Sequence, residues 1–159
     1  MHISIIAVGK VRESYLTQGM AEYLKRLQRY ATVSIVEVAE EQVPESLSPA
    51  EQTQALTREG ERLLKAAREG QYLIALAIQG RPFTSEEFAG HLQQLGVNGQ
   101  SDLALLIGGS LGLSDEVLRR ADLLLSFGKF TFPHQVMRLL LLEQIYRGFK
   151  IIRGEPYHK

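Results

Sequence analysis

The sequence predicts an α/β domain, a mainly parallel sheet flanked by helices. Five short apolar runs, often β-branched, are hydrophobic almost without interruption, as strands covered on both faces are. Between them lie longer amphipathic segments, three of them opened by residues that cap helices. The two patterns alternate along all 159 residues with no internal repeat, low-complexity tract or linker, so residues 1–159 read as one domain.

His2 to Val8 is the first strand, closed by Gly9. Tyr15, Leu16, Met20, Tyr23, Leu24, Leu27 and Tyr30 then recur at helical spacing. Thr32 to Val38, short and β-branched, is the second strand. Ser48 before Pro49 places an N-cap ahead of a proline at the first helical position, and Gly70 is the expected stop of that helix. Tyr72 to Ile78 is the third strand. Thr84-Ser85-Glu86-Glu87 is a capping box for a helix ending near Gly96. Leu103 to Ile107 is the fourth strand, followed by a short helix capped by Ser114 with Asp115 and Glu116 in its first turn. Leu123 to Ser126 is the fifth. A last helix starts at Pro133 and runs through Leu139-Leu140-Leu141-Leu142 to about Phe149. Four consecutive leucines make it apolar on more than one face, which predicts burial inside the monomer or against a partner.

A composition of 45% hydrophobic and 23% charged residues is that of a soluble globular protein. The absence of cysteine excludes disulfides, a thiol nucleophile and Cys-based metal sites, and fits a reducing compartment. Ile3 to Val8 is too short for the core of a signal peptide and lacks a preceding basic segment. No apolar run approaches the ~18 residues of a membrane span. A cytoplasmic protein without a membrane partner is expected. Net charge is zero, yet unevenly spread. Residues 37–61 hold seven Glu and one Arg, whereas 127–159 hold three Arg, three Lys and two Glu, and 9–30 hold five bases and two Glu. Basic surface at both ends is compatible with a phosphate backbone; Glu40, Glu41 and Glu45 could equally serve to solvate a loop and a helix start.

In parallel sheets ligands sit beyond the carboxyl ends of the strands. The loops after Ile78, Ile107 and Leu125 are therefore the candidate pocket. Gly108, Gly109 and Gly112 form G-G-x-x-G after the fourth strand, which is neither the spacing nor the position of a dinucleotide fingerprint. Gly128-Lys129 is no phosphate loop, because Leu123 stands where such a loop needs its first glycine. Strand-end glycines still let main-chain amides and carbonyls approach a flat ligand such as a purine, or they serve tight turns alone.

Among the histidines, His2 belongs to a strand, His91 to the surface of a helix, and His134 is a capping or packing group. His158 differs, being restrained by Pro156-Tyr157. No His-x-x-x-His and no acidic pair at ligand spacing is present, so no metal site is expected. No G-x-S-x-G elbow supports Ser-His-Asp chemistry. Glu143 and Arg147 lie one helical turn apart, the spacing of an ordinary surface ion pair.

Taken together, several segments are specific: I-x-x-V-G-K at 5–10, Leu76-Ala77-Ile78-Gln79-Gly80, I-G-G-x-x-G-L at 107–113 and S-F-x-x-x-T-F-P-H-Q-x-x-R at 126–138. They continue with L-L-E-Q-I-Y-R-x-F-K-I at 141–151 and P-Y-H-K at 156–159. In this order, over essentially the whole chain, the sequence resembles the ribosomal large-subunit methyltransferase H family of the SPOUT methyltransferases. The resemblance implies S-adenosylmethionine as methyl donor, no metal, N3 of a pseudouridine in 23S rRNA within the ribosome as acceptor, a homodimer, and a C-terminal trefoil knot. It places cofactor contacts at Leu76, at Gly108 and along Phe127, Gly128, Lys129, Phe130, Thr131 and Phe132. Gly128 and Phe130 stand where many relatives carry Ser and Met or Leu, a change that main-chain recognition would tolerate.

The acceptor chemistry gives the polar tail its roles. The imide proton at N3 must be removed and the nitrogen held in line with the methyl. His158 is the candidate base, imidazole being the side chain that ordinarily titrates near ~6.5. Arg147 would orient the base or stabilise charge on a carbonyl oxygen, Glu143 would fix the guanidinium, and Tyr157 would stack on the nucleoside or hydrogen-bond to it. Lys10, Arg12, Lys150 and Arg153 are the expected phosphate contacts. Competing readings are another small α/β enzyme such as a nucleotide hydrolase, a SPOUT RNA methyltransferase with a different target base, and a non-catalytic RNA- or ribosome-binding module.

Overall fold

Strands and helices alternate through the chain: β1 (His2–Val8), α1 (Ser14–Leu27), β2 (Thr32–Val38), α2 (Pro49–Ala66), β3 (Tyr72–Pro82), α3 (Ser85–Val97), β4 (Asp102–Ile107), α4 (Asp115–Arg120), β5 (Leu123–Ser126) and α5 (His134–Ile152). The computed structural model describes residues 1–158; Lys159, the end of the terminal motif, lies outside the described residues. The sheet runs β2-β1-β4-β3-β5 with every neighbouring pair parallel.

Burial follows the pleat. Ile3, Ile5 and Ala7 of β1 and Leu103, Leu105 and Ile107 of β4 face the helices α1, α3 and α5, where they meet Met20, Leu92, Leu142 and Ile145. Ile6, Val8, Ala104 and Leu106 face the other way, onto Leu63 of α2 and Val117 of α4. Because both faces are covered, the central strands read as continuous apolar runs rather than alternating ones. Each such Ile, Leu or Val side chain contributes about 1.5–3 kcal/mol by leaving water.

The helix starts lie at their caps. Ser48 Oγ accepts from the Glu51 amide at 3.2 Å, Ser114 Oγ accepts from Val117 at 3.3 Å, and Thr84 and Glu87 form a reciprocal capping box. Three boundaries differ from expectation. The second helix stops at Ala66, not at Gly70: Ala67 is extended, and the Gln71 side chain takes the Arg68 amide at 2.7 Å and donates to Asp102 at 2.8 Å, drawing the chain into the sheet. Pro133 is the N-cap of α5 rather than its first residue. The third strand continues to Pro82 through a bulge, with Leu76 and Arg81 both opposite Leu125, so residues 77–80 are extruded from the ladder.

Helix α5 packs within the monomer. Leu141 and Leu142 are fully buried, and Gly19 of α1 admits Leu139, whose Cδ1 lies 3.1 Å from where a glycine Cβ would stand. One turn into α5, Arg138 is wholly buried. Its Nη1 donates to Glu37 Oε2 at 2.6 Å and its Nη2 to the carbonyls of Val8 and Gly9 at 2.9 and 2.8 Å. These carbonyls end β1, so the guanidinium satisfies groups that the ladder leaves open. No helix among the described residues is long and apolar enough to cross a membrane.

Candidate active site

The carboxyl ends of β3, β4 and β5 enclose a cavity of about 250 Å³. Its floor is apolar, with Ile107, Leu113, Leu118, Leu125 and Met137. Its rim is glycine-rich, with Gly108, Gly109, Gly112 and Gly128 beside the extruded Ala77-Ile78-Gln79 of β3. Among the described residues no carboxylate, lysine or arginine lines it. A Cβ at Gly108 would stand 2.3 Å from the Gly112 carbonyl oxygen, so glycine is required there for the turn to fold back on itself. Gly80 is required in the same way, with the Leu124 backbone 2.6 Å from its Cβ position. The Ser126 hydroxyl donates to the Ile78 carbonyl at 3.0 Å and accepts from the Gly128 amide at 3.1 Å, locking the β3 bulge to the loop that follows β5.

Of the residues expected to contact a cofactor, Leu76, Gly108, Phe127, Gly128, Phe130, Thr131 and Phe132 line this cavity; Lys129 does not, and is exposed. His134 and Met137 reach it from α5, and Ser126 braces it, without having been singled out as site residues from the sequence. The signal for His134 and Met137 is their spacing within P-H-Q-x-x-R, which turns both to one side of the helix.

The second group of residues assembles elsewhere, around the end of α5, and none of it lines the cavity. Arg147 donates to Glu143 Oε1 through Nε and Nη2 at 3.0 and 2.5 Å. The Tyr157 hydroxyl donates to the same oxygen at 3.0 Å, which leaves it to accept from Tyr23 at 3.2 Å. Glu143 Oε2 accepts from Gln144 Nε2 at 2.9 Å. The guanidinium also lies over the Tyr157 ring, 4.7 Å from its centroid. Glu143 and Arg147 are less than a quarter exposed, so the pair is better shielded than a solvated surface bridge. The Glu143 carboxylate holds the guanidinium pKa above its ordinary value. Burial first, then the hydrogen bonds with Tyr23 and Glu143, raise the Tyr157 phenol. Tyr157 is therefore a neutral donor and an aromatic face, not a base.

His158 is held on both nitrogens. Arg147 Nη1 lies 3.1 Å from Nδ1, and Glu86 Oε1 lies 2.7 Å from Nε2. A guanidinium can only donate, so Nδ1 accepts and the ring proton sits on Nε2, toward Glu86. Glu86 is kept below the usual carboxylate range by its own backbone amide first and by His158 second. In the sequence Glu86 is simply an acid in the first turn of a helix; nothing there links it to a residue 72 positions later. Glu86 and Arg147 together fix the orientation of the imidazole ring.

Lys150, an expected phosphate contact, donates to Glu155 at 2.8 Å and lies over the Tyr30 and Tyr146 rings. Its pKa is raised, chiefly by Glu155. Tyr30 also donates to Glu155, at 2.6 Å, so Lys150 serves the tail clamp. Among the described residues no cluster of His, Asp and Glu could hold a metal ion.

The family model described as "Predicted SPOUT methyltransferase" matches residues 1–158. The chain is 57% identical over its full length, and over all of the relative, to a ribosomal RNA large subunit methyltransferase H of Carboxydothermus hydrogenoformans, and 54% identical over the same span to that of Enterococcus faecalis. Among solved structures it is similar to a probable methyltransferase from Bordetella pertussis, with TM-score 0.55, 13% identity, and 92% and 95% of the two chains covered. It is also similar to a putative methyltransferase from Legionella pneumophila described in complex with the bound cofactor SAM, with TM-score 0.52, 14% identity, and 94% and 66% covered. A parallel five-stranded α/β sheet of this architecture, matched along its whole length, makes the chain a member of the SPOUT methyltransferases, in the ribosomal RNA large subunit methyltransferase H family.

Proposed function

We propose that this chain is an S-adenosylmethionine-dependent methyltransferase that modifies N3 of a pseudouridine in 23S rRNA, acting in the cytoplasm as a homodimer on the assembled ribosome. One observation carries the cofactor: among the described residues the strand-end cavity is rimmed by main chain, floored by aliphatic side chains and free of charged ones. Such a lining fits an adenine ring read by amides and carbonyls, and it places no cation against a sulfonium. A nucleotide hydrolase needs charge around its phosphates, which this cavity does not offer. Leu76, Gly108, Gly128 and Thr131 would hold the cofactor, with Phe127, Phe130 and Phe132 enclosing it. When bound, it supplies a methyl group already activated on sulfur, so no leaving group has to be built.

The protein's task is then position and protons. His158 Nδ1 would take the N3 hydrogen, leaving the nitrogen's electron pair free for the methyl group that the cofactor would supply. Glu86 orients the imidazole, Arg147 faces the uracil oxygen that gains charge, and Glu143 and Tyr157 hold Arg147 in place. Exposed Ile78, Phe130 and Phe132 around the cavity support its being covered in a dimer. The C-terminal knot follows from family membership on the same reading. Calorimetry with S-adenosylmethionine and methyl transfer from labelled cofactor to ribosomes, with mapping of the modified base, test the reading. Saturable binding and one methylated pseudouridine are expected; no binding at millimolar cofactor overturns it. Naked rRNA methylated as well as ribosomes would remove the ribosome from the proposal, and a stable monomer on sedimentation at micromolar concentration would remove the dimer.

A further inference from the structure

Tyrosine rings join the C-terminal halves of α1 and α5. Tyr146 lies 5.9 Å from Tyr23, 6.1 Å from Tyr30 and 4.9 Å from Tyr157, centroid to centroid. Cations stand on these rings. The Arg26 guanidinium lies over Tyr23 at 5.3 Å and over Tyr146 at 5.7 Å, and that of Arg153 lies over Tyr30 at 5.3 Å. Arg26 Nε donates to Glu22 at 2.9 Å, which leaves both terminal nitrogens without a protein acceptor among the described residues. Arg153 is exposed. So is Arg29, whose charge reaches the Glu155 carboxylate that already accepts from Lys150 and Tyr30. This face thus carries Arg26, Arg29, Lys150 and Arg153 against two carboxylates, Glu22 and Glu155. It adjoins the tail, because Tyr157 packs on Tyr146, shares a hydrogen bond with Tyr23, and precedes His158. Stacking on tyrosine accounts for the flat faces of Arg26 and Arg153 and not for their exposed edges. A guanidinium held flat keeps its fork in one direction, and that fork matches two oxygens of a phosphodiester.

Building on the methyltransferase reading, we infer that this face is the track on which the substrate RNA lays its phosphate backbone. Arg26 and Arg153 are the phosphate contacts, and Arg29 adds attraction at longer range. The basic surface expected from Lys150 and Arg153 is redrawn accordingly: Lys150 is bound to Glu155, and α1 supplies the second cation. Contacts of this kind position a strand and carry no base sequence. The tyrosines tie the track to the tail, so a strand seated on the arginines lies beside His158.

Pelleting of the full chain with ribosomes across a salt series tests the track. Arg26→Gln and Arg153→Gln should each weaken binding by about 5- to 10-fold at ~0.1 M salt and make the slope of log affinity against log salt shallower by about 1. Protein-free 23S rRNA should show the same losses. In methyl transfer, KM for ribosomes should rise with kcat retained, and calorimetric cofactor affinity should match the wild type. Arg120→Gln, on α4 across the sheet, should leave all of these unchanged. If Arg26 only braces the tyrosines, its variant keeps the salt slope and loses kcat or melting temperature instead, which overturns the track. An equal loss in Arg120→Gln would reduce the effect to overall charge, and a loss confined to ribosomes would point to a protein partner; either outcome also overturns it. Arg29→Glu decides the matter where the Arg26 variant fails to fold: binding should fall at an unchanged melting temperature, and wild-type binding would overturn the track. If the wild-type chain methylates no RNA, the proposed activity falls, while pelleting still decides what this face binds.

Discussion

The strand-end cavity is rimmed by glycine turns over an apolar floor, whereas at the end of α5 the polar side chains bond to one another. The first region is made of turns, and its shape depends on where a Cβ is missing, as at Gly108. The second is a chain of charge-assisted hydrogen bonds, Glu86 to His158 to Arg147 to Glu143 to Tyr157, in which every member has a named partner. A main-chain site is indifferent to most exchanges at its rim and intolerant of a few glycine replacements. A site of linked side chains is sensitive at each link.

The largest expected effect falls on the side-chain region. His158→Ala should lower methyl transfer by ~10²–10⁴-fold with cofactor affinity retained, and added imidazole should restore part of the rate. A rate insensitive to imidazole, together with weakened ribosome binding, would make His158 an RNA contact and erase the contrast. In the main-chain region, Gly108→Ala drives a methyl group against the Gly112 carbonyl. The strain of overpacking is about 1–3 kcal/mol, so cofactor affinity measured by calorimetry should drop ~10–100-fold. An unchanged affinity would show that the turn can open and that its glycine is not the determinant.

Glu59 sharpens the comparison as a carboxylate without a cation at contact distance. It is 3% exposed, one oxygen accepts the Glu41 amide at 2.9 Å and the other has no partner. Burial, with Glu40 and Glu41 nearby, raises its pKa above the ordinary glutamate value. The folded state therefore holds this proton more tightly than the unfolded one, and stability is lost as pH rises from about 4.3, the unfolded value, through the folded pKa. Glu59→Gln should have a melting temperature that gains on the wild type by a few degrees between acid and neutral pH. A difference constant with pH would show that the carboxyl stays ionised. The smallest effect is expected at Phe130, which is 81% exposed at the cavity mouth. Phe130→Leu should change cofactor affinity by less than about twofold, in the range of surface substitutions; a tenfold loss would mean that side chains, not main chain, grip the adenine.

Much of this contrast can be read in the sequence. Apolar runs give the strands, Ser48, Thr84 and Ser114 announce helix starts through local hydrogen bonds, and glycines at strand ends mark the cavity, since all these signals lie within a few residues. What the sequence hides is non-local. Gly80-Arg81-Pro82 reads as a turn, and only pairing with Leu125 and Ser126 keeps it in β3. Gly70 has positive φ and looks like a helix stop, yet Gln71 and Asp102 end α2 sooner. Nor does the sequence show that Tyr157 packs edge-on against Tyr146, with ring centroids 4.9 Å apart. Its removal costs packing as well as chemistry. Arg138 looks like one more cation on a basic helix, and its burial follows from the carbonyls of a strand some 130 residues earlier.

That arginine also bears on biosynthesis. During synthesis β1 precedes its inner neighbour β4 by about a hundred residues. The cation that satisfies its last two carbonyls arrives later still, with α5. The earliest strand is thus finished by nearly the latest helix, and contacts that distant in sequence form slowly. A nascent chain stalled before residue 138 lacks the guanidinium that the Val8 and Gly9 carbonyls accept from.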